Sequence, residues 1–176
     1  MDVLDKPLVN RVAQSGLVTL NLEDFFPNGE VVPFDLTDYL FMKLILKEKD
    51  FREALKNHDW QQYDGKNVAV FCSTDAIIPM WAFMLVASYA GPIANDVFQG
   101  TEAEFIRFSF AKRLAAVRPS DFEGQRIVIK GCSERPVPAS AYLELTRLLQ
   151  PVAASIMYGE PCSTVPIFKR KRVVGD

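Results

Sequence analysis

An apolar, strand-like run followed by a Cys-Ser pair occurs twice in the chain, and it constrains the fold more than any other feature. The first copy comprises residues 67–73 and the second comprises residues 126–133. Both runs are short, rich in β-branched residues and preceded by a Gly-containing turn, a pattern typical of buried strands. The sequence therefore predicts two strands that each end in a Cys-Ser loop.

A proline stands where a helix would begin in both copies, at Pro79 and Pro138, and a second proline follows that helix, at Pro92 and Pro151. Proline's fixed φ and missing N–H suit the first turn of a helix, whereas a proline inside a helix breaks it. The chain thus contains two copies of strand, loop, helix and proline stop. This alternation predicts an α/β fold with a mixed, mostly parallel sheet covered by helices.

The N-terminal region adds further elements to the predicted sheet. Leu17–Leu22 and Glu30–Phe34 have the composition of strands, and the turn Phe26-Pro27-Asn28-Gly29 lies between them. This arrangement predicts an N-terminal β-hairpin. A helix over Asp38–Leu46 is predicted to follow, with Asp35 or Thr37 as the capping residue.

The length of 176 residues predicts a single α/β domain, residues 1–176, with loose ends at residues 1–8 and 169–176. The N-terminus shows no signal-peptide pattern, and the three cysteines are an odd number. We therefore expect reduced thiols in the cytoplasm rather than a disulfide framework.

The charge pattern excludes two classes of partner. The 20 basic and 22 acidic residues give a net charge of -2, which argues against a nucleic-acid partner. The uncharged stretch Ala76–Ala94 contains Pro79, Gly91 and Pro92, so its helical part is too short to span a bilayer. A helix that is apolar on all sides must be covered on all sides. We expect no membrane partner, and a homo-oligomer with this helix at its interface.

The three cysteines, each followed by a serine, suggest a metal site. Right-handed crossovers place Cys72 and Cys132 at the carboxyl edge of the predicted sheet, where open α/β sheets bind ligands. Cys162 joins them only if residues 152–158 return as a strand; if the helix continues instead, Cys162 lies far away. Thiolates are good metal ligands. The candidates for a fourth ligand are His58, Asp75, Glu134 and Glu160, and an exogenous water or substrate is the alternative.

Zinc is the metal that this ligand set favours, because three cysteines with one nitrogen or oxygen ligand form a known structural zinc site. An iron–sulfur cluster is less favoured, since such clusters usually take four cysteines. The sequence contains no closely spaced Cys-x-x-Cys pair. Two alternatives stay open: the cysteines are buried as small hydrophobes without any metal, or one of them is a nucleophilic or redox-active thiol. Whether the protein is an enzyme therefore stays open.

The second hypothesis for the Cys-Ser loops is that they bind a small anionic ligand. Ser73, Thr74 and Ser133 precede the predicted helices, whose N-termini attract phosphate and carboxylate groups. Arg135 would add a bidentate contact. The alternative is that these hydroxyl groups only cap their own helices.

The leading functional prediction is a metal-binding or small-ligand-binding protein with its site at the Cys-Ser loops. The alternative is a non-catalytic structural or interaction protein that forms a homo-oligomer and buries its free cysteines. A metal protein carries stoichiometric metal, whereas the interaction protein is metal-free and loses its oligomer when Phe83 or Leu85 becomes polar.

Four stretches also resemble a known family. They are residues 10–17 (Asn-Arg-Val-Ala, then Ser-Gly-Leu), residues 51–60 (Phe-Arg-Glu-Ala-Leu-Lys-Asn-His-Asp-Trp), residues 130–133 (Lys-Gly-Cys-Ser) and residues 159–166 (Gly to Pro). In these stretches the chain resembles an uncharacterised bacterial family, domain of unknown function 2480 (DUF2480). The resemblance covers nearly the whole chain and implies a small bacterial cytosolic protein. It implies no activity and no catalytic residue.

Overall fold

The computed structural model describes residues 16–131 and 135–171, and it has the predicted α/β class. Within these residues the strands are β1 (Leu17–Asn21), β2 (Val31–Asp35), β3 (Asn67–Phe71), β4 (Asp96–Gln99), β5 (Arg126–Lys130), β6 (Ser155–Glu160) and β7 (Ser163–Lys169). The α-helices are α1 (Glu48–Asn57), α2 (Met80–Ala90), α3 (Glu102–Leu114) and α4 (Ala139–Leu149). The predicted loose end at residues 1–8 lies outside the described residues.

The chain divides into two compact units. Unit 1 takes residues 1–26 and 110–176, and unit 2 takes residues 27–109. The prediction of a single domain stays a prediction. The strands form two sheets rather than the one that the sequence predicts, and most neighbouring strands in them are parallel.

Unit 2 contains a three-stranded sheet in the order β2-β3-β4, and all of its strands are parallel. β3 lies in the centre, and its residues 67–70 are buried on both faces, as expected for a parallel strand that is covered on both sides. Helices α1 and α2 contribute Phe51, Leu55 and Val86 to the same hydrophobic core. This core includes an aromatic cluster around Phe34.

Unit 1 contains a four-stranded sheet in the order β1-β5-β6-β7. The first three strands are parallel, and β7 returns antiparallel to β6 at the edge. Most of its buried apolar residues come from the central strand β5, from α4 and from the C-terminal part of α3. They include Ile127, Leu145, Phe110 and Leu114.

The two units repeat the same order of elements. Three elements of unit 2 begin 59 residues before their counterparts in unit 1: Asn67 and Arg126 for β3 and β5, Met80 and Ala139 for α2 and α4, Asp96 and Ser155 for β4 and β6. The turn before the central strand is also repeated, because Gly65 and Gly124 have φ of 69° and 67°. Such left-handed conformations are accessible to glycine without a steric penalty. The predicted strand–loop–helix repeat is therefore present, and it extends further than the sequence indicated.

The buried side chains obey the same spacing. Phe51 and Phe110 are 1% exposed, and Leu55 and Leu114 are 0% and 1% exposed. The N-terminal strands are also equivalent, since β1 and β2 each lead into a 3₁₀ turn that begins immediately after the strand, at Leu22 and Leu36. In sequence, unit 2 is therefore inserted into unit 1 between its first strand and the remainder.

This insertion corrects the predicted N-terminal hairpin. Both strands are present, but β1 pairs with β5 and β2 pairs with β3, each in parallel. The turn around Phe26-Pro27-Asn28-Gly29 is the junction of the two units rather than a hairpin turn. The local turn signal was sound, but it carries no information on which strand lies beside which.

The predicted helix over Asp38–Leu46 is also wrong. The segment forms a 3₁₀ turn at Leu36–Tyr39, and Asp35 caps it by accepting a hydrogen bond from the Thr37 N–H. A tight turn follows, closed by a bridge between Phe41 and Ile45. The nearly continuous apolar run supplies no polar face, so it lacks the period of an amphipathic helix.

Among the described residues, no helix has the length and apolar character needed to cross a membrane. The uncharged segment contains the 11-residue helix α2, as expected from its flanking prolines. Pro79 is the residue before that helix, and Pro138 has the same position before α4.

Candidate functional site

The parallel strands of unit 2 end together at one edge of their sheet. β2 ends at Asp35, β3 ends at Phe71 and β4 ends at Gln99. The loop after β3 carries Cys72, Ser73 and Thr74, and the loop after β4 leads into α3. Ligands of open α/β sheets bind at this carboxyl edge, so the first Cys-Ser loop has the position that the sequence predicts.

Asp35 organises this loop through backbone hydrogen bonds. Its Oδ1 accepts hydrogen bonds from the Thr37 N–H at 2.9 Å and from the Ser73 N–H at 3.0 Å. Burial raises the pKa of Asp35, but hydrogen bonds from Ser73 and Thr37 outweigh it, and the pKa lies below its ordinary value. The Ser73 N–H, a donor that an external anion would need, is therefore already occupied by a carboxylate of the chain itself.

Cys72 lies half-buried between two threonine hydroxyl groups. Its Sγ is 3.5 Å from the Thr37 Oγ1 and 3.3 Å from the Thr74 Oγ1. Burial raises the pKa of the thiol, but the hydrogen bonds with Thr37 and Thr74 outweigh it and lower the pKa below its ordinary value. The environment thus favours the thiolate over the thiol, relative to a free cysteine.

A cleft of about 710 Å³ opens beside this thiol. It lies between the ends of β3 and β4, the start of α2 and the start of α3. The polar lining residues are Cys72, Thr74, Gln99, Thr101 and Glu104. The apolar lining residues include Phe71, Ala76, Ile78, Met80, Phe83 and Met84. An apolar wall that faces a few converging polar groups is the usual composition of a small-molecule site.

Glu104 is the charged residue among those that line this cleft. Its Oε2 accepts hydrogen bonds from the Thr101 N–H at 2.8 Å and from the Thr101 hydroxyl at 2.9 Å. These hydrogen bonds from Thr101 lower the pKa of Glu104 below its ordinary value. The carboxylate is therefore ionised at neutral pH and gives the cleft a negative charge.

The sequence indicated the loop of Cys72 but not the other side of the cleft. Gln99, Thr101 and Glu104 follow β4, and only the parallel pairing of β4 with β3 brings them to the loop. The available signal was the Thr101/Glu104 capping box directly after a short strand. It marks a helix start, and at a parallel strand end a helix start faces the ligand edge.

His58, a proposed fourth metal ligand, is held in the aromatic cluster of unit 2. Its Nδ1 is 3.3 Å from the Tyr39 hydroxyl, and its Nε2 is 3.1 Å from the Tyr63 hydroxyl. Burial lowers the pKa of His58, and the charge of Asp59 opposes this only in part. Both ring nitrogens thus already have partners. Asp75 is exposed and lies beside Leu44 and Ile77.

In unit 1, Cys162 lies in the turn between β6 and β7 and is exposed. Residues 155–160 return as a strand parallel to β5, which is the condition that the sequence sets for Cys162 to reach the edge of the second Cys-Ser loop. Cys132, Ser133 and Glu134 of that loop lie outside the described residues. Glu160, another proposed ligand, pairs with Lys130 at 2.9 Å.

Cys72 and Cys162 belong to different units, and no group of three metal-ligating side chains occurs within residues 16–131 and 135–171. The metal site of three cysteines therefore stays a prediction. The guanidinium of Arg135, a proposed anion contact, lies 3.9 Å from the centre of the Phe26 ring. It makes a cation–π contact there.

When the two units are aligned with an offset of 59 residues, their Cys-Ser pairs do not coincide but differ by one position. Cys72 corresponds to Gly131 rather than to Cys132, and Phe83 corresponds to Tyr142. A Cβ at residue 131 would meet the Tyr142 hydroxyl, with the ring atom Cζ only 2.7 Å away. The tyrosine therefore fills the space in unit 1 that the side chain of Cys72 would take.

A larger hollow, of about 890 Å³, lies on α4 in unit 1. Its lining is mostly apolar and includes Leu143, Met157 and Ile167. Glu144 and Arg147 at this hollow form an ion pair with each other. It lies along the side of the helix rather than only at the strand ends, and its charged groups are mutually satisfied.

No curated protein and no solved structure matches the chain. A family model does match it, described as a protein of unknown function (DUF2480), and the match covers residues 6–170. This confirms the family resemblance of the sequence over almost its whole length. The chain belongs to the DUF2480 family.

Proposed function

We propose that the protein binds a small molecule in the cleft beside Cys72. The observation that carries the proposal is the cleft itself, about 710 Å³ at the carboxyl edge of three parallel strands. Its volume is within the range of small-molecule sites, and its position is the one that α/β sheets use for ligands. The half-buried thiol of Cys72 and the carboxylate of Glu104 supply its most reactive and most charged groups.

The charge of the lining favours a cationic ligand with an apolar body. Glu104 is ionised, Asp35 stands behind the loop, and the residues that line the cleft include no lysine or arginine. An anion would be repelled by the Glu104 carboxylate in the cleft, and Asp35 behind the loop would add to this repulsion. An amine would pair with Glu104, and its carbon skeleton would pack on Phe83 and Met84.

Two probes with a similar apolar body and opposite charge test this proposal: phenethylamine and 3-phenylpropionate. Met80 and Met84 line the cleft, so the NMR signals of their labelled methyl groups report its occupancy. Met157 lies in unit 1 and lines the larger hollow there, so its signal shows whether a probe binds that hollow instead. We expect phenethylamine to shift the signals of Met80 and Met84 at millimolar concentration, and 3-phenylpropionate to leave them unchanged.

Glu104→Gln is the variant that separates charge from shape. It keeps the size of the side chain and removes its charge. The affinity for phenethylamine, obtained by titrating the shifts, should therefore fall by about tenfold, the effect of one exposed charge-assisted contact. Equal affinity for both probes would contradict the proposed preference for a cationic ligand. If neither probe changes the signals of Met80 and Met84, the proposal of a ligand site in this cleft is wrong. That result would favour the alternative, a structural protein.

A zinc ion held by Cys72, Cys132 and Cys162 is a separate proposal. The free thiols of Cys72 and Cys162 support it, together with the return of residues 155–160 as a strand. Elemental analysis of gently purified protein tests it. About one zinc per chain, lost in each Cys→Ala variant, is expected for a three-cysteine site. Metal-free protein from the same preparation would contradict it.

The free thiols also support a reducing compartment. We therefore propose the bacterial cytoplasm as the location of the protein, in agreement with what the sequence resemblance implies.

A further inference from the structure

Unit 2 carries an exposed apolar surface that its own fold does not use. It is formed by the turn after the 3₁₀ segment and by the beginning of α2. We call it the tip face, and its residues are Phe41, Met42, Leu44, Ile45, Ile77, Met80 and Met84. Met42 is 76% exposed and Ile77 is 93% exposed. Single exposed apolar residues are ordinary, whereas a contiguous patch marks an interaction surface.

The members of the tip face are adjacent in space. A hollow lined by Leu44, Ile45 and Ile77 joins the turn to the start of α2. Met80 and Met84 continue the surface along the helix and border the cleft. The sequence predicts Phe83 and Leu85 as the interface residues of α2. In the structure these two residues are only partly exposed. The exposed side of the helix is that of Met80 and Met84.

The turn is held in an unfavourable backbone conformation. Met42 and Lys43 are successive residues with φ of 52° and 57°. This left-handed region is favoured by glycine and asparagine, and it is unfavourable for side chains such as these. Hydrogen bonds between the backbone groups of Phe41 and Ile45 hold the turn closed. The fold therefore presents Met42 outward in a conformation that its own sequence does not favour, and strained residues of this kind cluster at functional sites.

The area and the charges of the tip face fit a second copy of this chain. With roughly 150–200 Å² for each fully exposed large side chain, the exposed fractions amount to about 700–950 Å², close to the ~800 Å² per partner of a standard interface. Charges of both signs lie beside the tip face: Lys43 follows Met42 in the turn, the Lys47 Nζ lies 3.4 Å from the centre of the Phe41 ring, and Asp75 lines the hollow with Ile77. An anionic membrane selects basic residues alone, whereas the interface of a symmetric dimer is self-complementary and needs both signs.

We infer that two copies of the chain associate symmetrically through the tip face. The turn Phe41–Ile45 has no counterpart in unit 1, where the equivalent 3₁₀ turn leads directly into the inserted unit 2. The surface used for association therefore belongs to unit 2 and is not part of the elements that the two units share. This inference goes beyond ligand binding and does not depend on it, since the residues changed below do not line the cleft.

Sedimentation velocity of the full chain over a range of concentrations tests this inference. The wild type should sediment as a dimer of 19.8 kDa chains. Ile77→Asp with Met42→Asp should weaken the dimer by about 100-fold or more, since both charges would be buried in a dry interface. Both sites are exposed in the single chain, so its circular dichroism and its tryptophan fluorescence should not change.

Leu143→Asp is the matched control, because Leu143 corresponds to Met84 in unit 1 and is 71% exposed against 72%. The control should leave the dimer intact. A wild type that is monomeric at every concentration would overturn the inference. So would dissociation by Leu143→Asp alone, or a monomer that sediments with phosphatidylserine vesicles, the last in favour of a lipid surface.

Discussion

The carboxyl edges of the two sheets carry different chemistry on the same backbone plan. In unit 2 the edge is open, and a cleft lies between Cys72 and Thr101. In unit 1 the position of Cys72 is taken by Gly131, and the Tyr142 hydroxyl lies against it. Glu160, the counterpart of Thr101, pairs with Lys130 across the ends of β5 and β6. The comparison teaches that the two units share one backbone scaffold, while a few residues at the strand ends decide how much space lies beside the central strand.

The equivalence of the two cores predicts the largest effects. Phe51→Ala and Phe110→Ala should each lower the free energy of unfolding by about 3–5 kcal/mol, because each removes a fully buried ring. Urea denaturation followed by circular dichroism measures both. Phe108→Ala in the same helix as Phe110 should cost less than about 1 kcal/mol, since that ring is half-exposed and loses less buried area. If Phe110→Ala were as mild as this control, the two cores would not be equivalent.

The contrast between Gly131 and Cys72 predicts a medium effect. Gly131→Ala places a Cβ where Tyr142 lies, so the ring must move, and we expect a loss of about 1–3 kcal/mol from overpacking. Tyr142→Phe in the same chain should recover part of this loss, because it removes the hydroxyl but leaves Cζ near the new Cβ. Denaturation curves of the single and double variants measure the coupling.

The matched change in unit 2 is Cys72→Ala, which removes two weak hydrogen bonds and should cost about 1 kcal/mol or less. A neutral Gly131→Ala would contradict the close approach of the tyrosine. A loss for Cys72→Ala as large as that for Gly131→Ala would show that the two positions differ less than the structure indicates.

Much of this arrangement could be predicted from local signals. The prolines before α2 and α4, the capping box of Thr101 and Glu104, and the β-branched runs of β3 and β5 all act within a few residues. The prolines and the β-branched runs predict the correct elements, and the capping box marks the start of α3. The bounds of β4, Asp96–Gln99, were also predictable, because a helix stop precedes them and a capping box follows.

The partners of the N-terminal strands could not be predicted in this way. Leu17 lies beside Arg126, more than a hundred positions along the chain, and unit 2 intervenes. A strand has the same local preferences whether its neighbour precedes or follows it, so local signals favour the nearest strand as its partner. The open edge of unit 2 was hidden for the same reason, since Glu104 reaches Cys72's cleft only through the pairing of β3 with β4.

A titration effect of His58 is the smallest difference that we predict between the units. The equivalent position in unit 1 is Val117, so only unit 2 has a histidine there. Burial lowers the pKa of His58 in the folded protein. Below the ordinary value of about 6.5 the unfolded chain therefore binds the proton more readily than the folded chain. The stabilisation that neutral His58 allows is complete above that pH, and it is lost as the pH falls through the folded pKa.

We expect the urea midpoint to decrease when the pH is lowered from about 7.5 to about 5.5, the range in which histidine titrates. Both tryptophans, Trp60 and Trp81, lie in unit 2, so their fluorescence reports the unit in question. The lowered pKa values of Asp35 and Glu104 act at lower pH, because those groups gain protons only below about 4.5 in the unfolded chain.

His58→Gln keeps a hydrogen-bonding side chain near Tyr39 and Tyr63 and removes the titration, so its midpoint should stay level over the same range. A variant that declines as steeply as the wild type would assign the acid sensitivity to another group. A wild type that gains stability on acidification would contradict the sign of the pKa shift. If the urea midpoint falls with pH in the wild type but stays constant in His58→Gln, the acid-sensitive group lies in unit 2, which also carries the cleft and the tip face.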